Sequence, residues 1–194
     1  MKKIHDFDQV FDSQKMYRIL LEAFSNPGRK LSIAPFAQKM YGSKPEFLAL
    51  AMTLLDNEVG FAACKDEELA QQIVSLTLSR EEALECADYL FLSDAASLEE
   101  AVEKAKCGTL KDPQKSGTLL ILTGNGAEQE ITLAGPGIKD RMTVRVPERV
   151  LQALTLRDSQ FYEYPQGIDL VFITEDKELF ALPRLVKTVK EEET

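Results

Sequence analysis

The chain has 194 residues, a formal net charge of −9 and an apolar fraction of 44%, with a mean hydropathy of −0.18. These values predict one globular domain over residues 1–194 and exclude a disordered chain. The acidic balance argues against nucleic-acid binding. Neither a spanning apolar run of roughly 18–20 residues nor the apolar stretch of a signal peptide is found. We therefore expect a cytoplasmic protein that binds neither nucleic acid nor membrane.

Apolar residues at helical spacing predict five helices. They cover about residues 12–24, 46–55, 66–78, 97–106 and 147–156. Asp12 or Ser13 is the predicted N-cap of the first helix, which the turn Asn26-Pro27-Gly28 ends. Ser97 and Glu100 form a capping-box pattern at the start of the fourth helix.

Short apolar runs between the helices predict strands. They lie near residues 29–33, 59–64, 88–92, 119–122, 131–133, 168–173 and 178–182. Gly124-Asn125-Gly126 predicts a hairpin between two of them, and the turn near Asp176 predicts another. Alternating helices and strands over the first two-thirds of the chain indicate an α/β fold. We predict a three-layer αβα arrangement around an open mixed sheet, with the acidic residues 191–193 as solvated surface.

The usual catalytic constellations are not found in the sequence. His5 is the single histidine, so no Ser/His/Asp or Cys/His pair is available, and no Walker sequence occurs. Cys64 and Cys86 are predicted to be core thiols, and Cys107 to lie in a loop. The three cysteines lack the spacing of a zinc site. We therefore expect no metal, no cofactor and no catalytic residue.

Three arginines beside turns are candidates for an anion site or a subunit contact, namely Arg29, Arg141 and Arg184. The segment Gly135-Pro136-Gly137 follows a predicted strand, where backbone amides of glycines can cradle a phosphate or simply form a tight turn. The residues favour the turn and leave an anion contact open. Asp169 is interpreted as an acceptor for backbone amides rather than as a catalytic base.

Six segments in a fixed order resemble a known family. They are 7–28 (FDQVFDSQKMYRILLEAFSNPG), 54–58 (LLDNE), 108–121 (GTLKDPQKSGTLLI), 133–138 (LAGPGI), 161–173 (FYEYPQGIDLVFI) and 181–184 (ALPR). Together they resemble the H subunit of the carbon–phosphorus lyase system, the bacterial machinery of phosphonate breakdown. We call these six segments the landmark segments.

The resemblance implies the fold of the large domain of pyridoxal-phosphate-dependent transferases, without the cofactor. It also implies an accessory role, and either self-association as a homodimer or docking with the G, I and J subunits and the associated L protein. That assembly forms ribose 1-phosphonate 5-triphosphate from MgATP and a phosphonate. The alternative from the residues alone is a free-standing α/β enzyme or binding protein for a phosphorylated small molecule, with the three arginines on the phosphate and Asp169 assisting.

Overall fold

A computed structural model of the chain describes residues 5–189, so the predicted acidic surface at 191–193 lies outside the described residues. Within this range the chain forms six α-helices and a short 3₁₀ turn, Pro113–Lys115. The helices are α1 (Phe11–Ser25), α2 (Ala34–Ala37), α3 (Pro45–Leu54), α4 (Glu67–Thr77), α5 (Leu98–Lys104) and α6 (Glu148–Ser159). No helix in this part of the chain has both the length and the apolar character needed to cross a bilayer.

Ten strands form two sheets. They are β1 (Leu31–Ser32), β2 (Gly60–Ala63), β3 (Arg80–Glu81), β4 (Tyr89–Leu92), β5 (Thr118–Leu122), β6 (Glu128–Ala134), β7 (Met142–Pro147), β8 (Asp169–Ile173), β9 (Glu178–Leu182) and β10 (Lys187–Thr188). The large sheet has the order β1-β9-β8-β5-β4-β2-β3, and the small sheet has the order β10-β6-β7. In the large sheet β9 runs against the other six strands, which share one direction.

Side chains of the large sheet alternate between two apolar cores, as the period of a strand requires. Leu120 packs with α1, α2, α3 and α4 on one face. Its neighbours Leu119 and Ile121 pack on the other face with α5, α6 and the small sheet. The prediction of a mixed α/β sheet with helices on both faces is therefore confirmed. The second outer layer differs from the predicted αβα arrangement because it also contains a small antiparallel sheet.

The predicted hairpin at Gly124-Asn125-Gly126 is wrong. β5 pairs in parallel with β4 and β8 in the large sheet, whereas β6 pairs with β7 and β10 in the small one. The glycines therefore carry the chain from one sheet to the other. β7 was missed because its residues 142–147 alternate weakly and end at a proline that was assigned to the following helix. The predicted hairpin near Asp176 is confirmed, since β8 and β9 are antiparallel.

The predicted helix caps are corrected in two places. α1 begins after Val10, and Asp8 accepts hydrogen bonds from the N–H groups of Val10 and Phe11, at 2.9 and 2.7 Å. Asp8 therefore fills the capping role predicted for Asp12 or Ser13. At α5 the side chain of Ser97 makes no cap bond. Its own N–H instead donates to Asp94 Oδ1 at 3.0 Å, so the capping box is not formed.

Candidate functional site

The landmark segments meet at one end of the large sheet. We call this end, where the six strands of common direction begin, the amino edge. Segments 7–28, 54–58, 108–121 and 161–173 each lead into such a strand, namely β1, β2, β5 and β8. Segment 181–184 leaves β9, which runs the opposite way and so ends at the same edge. The resemblance therefore depends on loops that share one surface, although they are far apart in sequence.

The Gly135-Pro136-Gly137 segment joins this surface through close backbone contacts. It lies in the loop of the hairpin formed by β6 and β7. Gly137 has φ +85°, and a Cβ there would lie 2.7 Å from Pro27 Cδ and 2.8 Å from Ser25 O. A Cβ on Gly135, at φ +143°, would lie 2.7 Å from Leu185 O. The prediction of a tight turn is confirmed. Glycine is required at both positions because the neighbouring segments leave no room for a Cβ.

Four prolines from four separate loops line an apolar groove of about 370 Å³ on the amino edge. They are Pro113, Pro136, Pro165 and Pro183. Asp169 and Arg184 lie in the same groove. Proline fixes φ and has little conformational freedom to lose, so a groove built from prolines is largely preformed before anything binds.

The Asp169–Arg184 pair anchors this groove. Arg184 Nη2 lies 2.5 Å from Asp169 Oδ2, and the backbone N–H of Arg184 donates to Asp169 Oδ1 at 2.8 Å. A second guanidinium nitrogen donates to the carbonyl of Pro113. Asp169 is thus an acceptor for a backbone amide, as predicted, and it is also the ion-pair partner of Arg184. The pair joins β8, the turn after β9 and the loop before β5.

Behind the groove lies Arg157 of α6, which is completely buried. Its guanidinium donates to the carbonyls of Leu182 at 3.0 Å and Pro183 at 3.3 Å, and to that of Val186. Nε lies 3.0 Å from Asp158 Oδ1. A buried guanidinium needs such partners because an unpaired charge in the interior is strongly unfavourable. Arg157 therefore fixes the path of segment 182–186, which carries one wall of the groove.

Large apolar side chains are exposed on the loops beside the groove. Phe161 is 94% exposed and Tyr164, which precedes Pro165, is 76% exposed. Leu110 is 54% exposed in the loop 107–117, and Gln166 binds that loop by donating to Gly108 O at 3.0 Å. Large apolar side chains exposed on neighbouring loops are typical of protein contacts.

The predicted arginines do not converge on one anion. Arg184 binds Asp169, and Arg29 forms an exposed ion pair with Glu22 at 2.7 Å. Arg141 is exposed at the end of the β6–β7 loop. Within residues 5–189, Arg184 and Pro136 share the groove lining, while Arg29, Arg141, Gly135 and Gly137 do not belong to that lining.

The opposite end of the large sheet, the carboxyl edge, is where α/β proteins commonly bind ligands. Several of its side chains bind groups of the same chain. Asp66 caps α4 by accepting from Leu69 N–H at 3.1 Å, and it lies 2.6 Å from Lys44 Nζ. Burial alone would raise the pKa of Asp66, but the hydrogen bonds from Lys44 and Leu69 outweigh it and lower that pKa. Arg149 donates to the carbonyl of Leu122 at the end of β5.

The remaining reactive side chains to be placed are Lys177 and two of the cysteines. Lys177 lies in the β8–β9 turn, with Nζ 3.0 Å from the buried carboxylate of Glu46. Cys64 is buried, and burial raises its pKa to about 12, so it remains a thiol at neutral pH. The prediction of a buried Cys86 is wrong, because that residue is exposed. No group of acidic, histidine or cysteine side chains suited to a metal ion occurs among the described residues.

Sequence reasoning missed the prolines as a group and missed Arg157. Each proline was a local turn signal, and the convergence of four turns is a tertiary property. Arg157 occupies a helix whose flanking residues are polar, where an exposed arginine is the usual interpretation. The one available signal was its spacing from Val150, Ala153 and Leu154, which places it on the apolar face of α6.

A surface built from loops, with exposed aromatic side chains beside an apolar groove, has the features of a protein contact. Comparison with known proteins then gives the family. The model of the bacterial phosphonate metabolism protein family PhnH matches residues 5–189, so the chain belongs to that family.

Two relatives show how the family members are described. A candidate C–P lyase subunit protein, HtxG of Stutzerimonas stutzeri, is 27% identical over 176 residues, covering 88% of this chain and 83% of the relative. The alpha-D-ribose 1-methylphosphonate 5-triphosphate synthase subunit PhnH of Rhizobium meliloti (strain 1021) is 25% identical over 193 residues, covering 95% and 94%. Both similarities extend over most of each chain.

Proposed function

We propose that the chain is an accessory subunit of the carbon–phosphorus lyase core complex in phosphonate catabolism. In this role it supports the formation of ribose 1-phosphonate 5-triphosphate from MgATP and a phosphonate. The observation that carries the proposal is the family match over residues 5–189. The name of the Rhizobium relative, a subunit of a ribose methylphosphonate triphosphate synthase, supports the same reaction.

The proposal includes the partners and the setting of the subunit. We infer a single domain in the cytoplasm that docks with the G, I and J subunits and the associated L protein, and that forms a homodimer when isolated. The names of both relatives support the docking with other subunits, because each is described as a subunit. We also propose the fold of a pyridoxal-phosphate-dependent transferase large domain without the cofactor. Its support is the seven-stranded sheet with one reversed strand and helices on both faces.

The amino-edge groove is our proposed contact with another subunit of the complex. Its prolines present a rigid apolar surface, and Phe161 and Tyr164 add exposed aromatic area beside it. Arg29, Arg141 and the backbone amides of Gly135 and Gly137 would contribute the polar rim of that contact, while Pro136 belongs to the groove itself. The pairing of Arg184 with Asp169 and of Arg29 with Glu22 favours this over a phosphate site.

Co-expression tests the functional proposal. The chain is produced with the G, I, J and L proteins, and the mixture is separated by size-exclusion chromatography with mass measurement. We expect this chain to co-migrate with the complex, and its omission to abolish triphosphate product formation from MgATP and methylphosphonate. Turnover by the isolated chain, or full activity without it, would contradict the accessory role.

A matched pair of substitutions tests the docking surface. Phe161→Ala removes an aromatic ring that is 94% exposed, so stability should change by less than about 0.5 kcal/mol. Loss of an interface anchor should weaken binding to the complex by about 2 kcal/mol, or roughly thirtyfold. Val10→Ala is the control, since Val10 is 70% exposed at the start of α1. Equal binding by the two variants would remove Phe161 from the interface.

A further inference from the structure

The small sheet has one long edge strand with unpaired backbone groups. In the part of the chain that the structure describes, four strands end the two sheets, and β1, β3 and β10 have two residues each. β7 has six residues and pairs on one side with β6, over six consecutive positions without a bulge. A long, regular edge strand is a template for pairing with another chain.

Two independent hydrogen bonds show which β7 residues present their backbone to the free side. Val189 N–H donates to Thr132 O at 2.8 Å, so the backbone groups of Thr132 point toward β10 and away from β7. Glu148 N–H donates to Ala127 O at 3.0 Å in the same β6–β7 register. Because hydrogen-bonded and non-hydrogen-bonded pairs alternate, Thr143 and Arg145 point their N–H and C=O groups away from β6.

These four groups belong to exposed residues. Thr143 and Arg145 are exposed residues, and the Arg145 side chain is 75% exposed. Within residues 5–189 no hydrogen bond outside the β6–β7 ladder uses the backbone of either residue. Pro147 follows at the next outward position and has no N–H to donate, so the row of donors ends there. The usable segment, residues 142–146, is therefore centred on Val144.

We infer that β7 pairs antiparallel with β7 of a second copy of this chain, about a two-fold axis at Val144. In this register Thr143 of each copy faces Arg145 of the other, and each of the two pairs exchanges both hydrogen bonds, giving four. Val144 faces its own copy, and Met142 faces Val146. The two small sheets become one six-stranded sheet. This inference gives the interface of the homodimer in the proposed function.

The register is compatible with both faces of the joined sheet. Thr143 and Arg145 lie on the exposed face, where Arg145 forms an ion pair with Glu130 at 3.7 Å. Arginine faces threonine across the axis, so like charges are not opposed. Met142, Val144 and Val146 lie on the face turned toward the core of the second layer. A one-residue slip would place exposed side chains against buried ones, which disfavours other registers.

Disulfide trapping tests the register. In a background with Cys86→Ser and Cys107→Ser, Val144→Cys should cross-link to itself under mild oxidation, because a non-hydrogen-bonded pair has Cα atoms about 4.5 Å apart. Thr143→Cys is the matched control. Its two copies would be offset by about 7 Å along the strands, which places their Cα atoms beyond bonding range. We expect at least five times more cross-linked dimer from Val144→Cys, and equal amounts would overturn the register.

Thr143→Pro tests the backbone bonds themselves. It removes two of the four intermolecular donors while keeping the bonds between β6 and β7, so the dimer dissociation constant in analytical ultracentrifugation should rise at least tenfold. Thr143→Val, which keeps the N–H, should leave it unchanged. An unchanged dimer dissociation constant for Thr143→Pro would overturn the pairing. A wild-type chain that is monomeric after a 100-fold dilution from about 1 mM would overturn it as well. Loss of binding to the complex by Thr143→Pro in a monomeric chain would instead assign the edge to another subunit. Failure of the wild-type chain to co-migrate with the other subunits would contradict the accessory role. It would not affect the test of β7 pairing, which uses the isolated chain.

Discussion

The two ends of the large sheet differ in what their side chains do. At the carboxyl edge, where α/β proteins commonly hold ligands, Asp66, Lys44 and Arg149 bind groups of the same chain. At the amino edge, prolines and exposed aromatic rings face outward around a groove of about 370 Å³. The comparison indicates that the chain keeps an α/β framework, while the interaction surface that we propose lies at the opposite edge.

The landmark segments follow the same division. Loops at the carboxyl edge, such as 123–127 and 174–177, contributed little to the family resemblance, whereas loops at the amino edge supplied most of it. A catalytic site would require precise chemistry in a few side chains. The amino edge instead depends on backbone turns, prolines and a buried arginine that hold a shape, which suits a docking surface.

The largest expected effect comes from Arg157→Ala. The change leaves the carbonyls of Leu182 and Val186 without their buried donor and creates a cavity beneath the groove. We expect a loss of about 3–5 kcal/mol in the free energy of unfolding, measured by chemical denaturation. Arg80→Ala is the control, since its side chain is 67% exposed and its ion pair with Glu82 is 3.6 Å long. That variant should lose less than about 0.5 kcal/mol. A small loss for Arg157→Ala would show that segment 182–186 is held by other contacts.

Substitution of one glycine at each edge compares how tightly the two edges are packed. Gly137→Ala at the amino edge would introduce both a strained φ of +85° and a Cβ 2.8 Å from Ser25 O. Gly124→Ala at the carboxyl edge shares the positive φ, +66°, but its Cβ would meet nothing within 4 Å. We expect losses of about 2–3 and about 1 kcal/mol respectively in thermal or chemical unfolding. Equal losses would mean that the Asn26-Pro27-Gly28 turn gives way to the added methyl group.

Asp66→Ala should have a smaller effect that depends on pH. It removes the N-cap of α4 and the partner of Lys44, so we expect a loss of about 1–2 kcal/mol at pH 7. The folded-state pKa of Asp66 is lowered, so its stabilisation is complete above about pH 5 and is lost as the pH falls through about 3.9 toward the folded pKa. The difference between wild type and variant should therefore shrink below about pH 4. A difference that stays constant down to pH 3 would contradict this role.

Local patterns predicted most of the large sheet. The helices α1, α3, α4 and α5 and the strands β2, β4, β5, β8 and β9 match their predicted positions closely. Their apolar periods reflect burial on two faces, which a single sequence records directly. The small sheet could not be predicted in the same way, because the Gly124-Asn125-Gly126 turn has a typical hairpin sequence although its flanking strands join different sheets.

The candidate site could be predicted only in its parts. Gly135-Pro136-Gly137 and Arg184 were identified as turn residues, and both contribute to the amino edge. Their meeting with Pro113 and Pro165 depends on strand order, which the sequence does not record locally. Arg29 and Arg141 were grouped with Arg184 because all three follow turns. A position after a turn does not indicate whether these three arginines lie close together in the folded chain.

The pairing of β1 with β9 has a consequence for synthesis of the chain. Leu31 and Ser32 pair with Leu179 and Glu178, so almost 150 residues separate the two partners. The Asn26-Pro27-Gly28 turn likewise packs against Gly137 and bonds to Ala181, which are both far along the chain. A nascent chain therefore cannot complete its first strand until nearly all of it has left the ribosome. Such non-local closure is expected to slow folding.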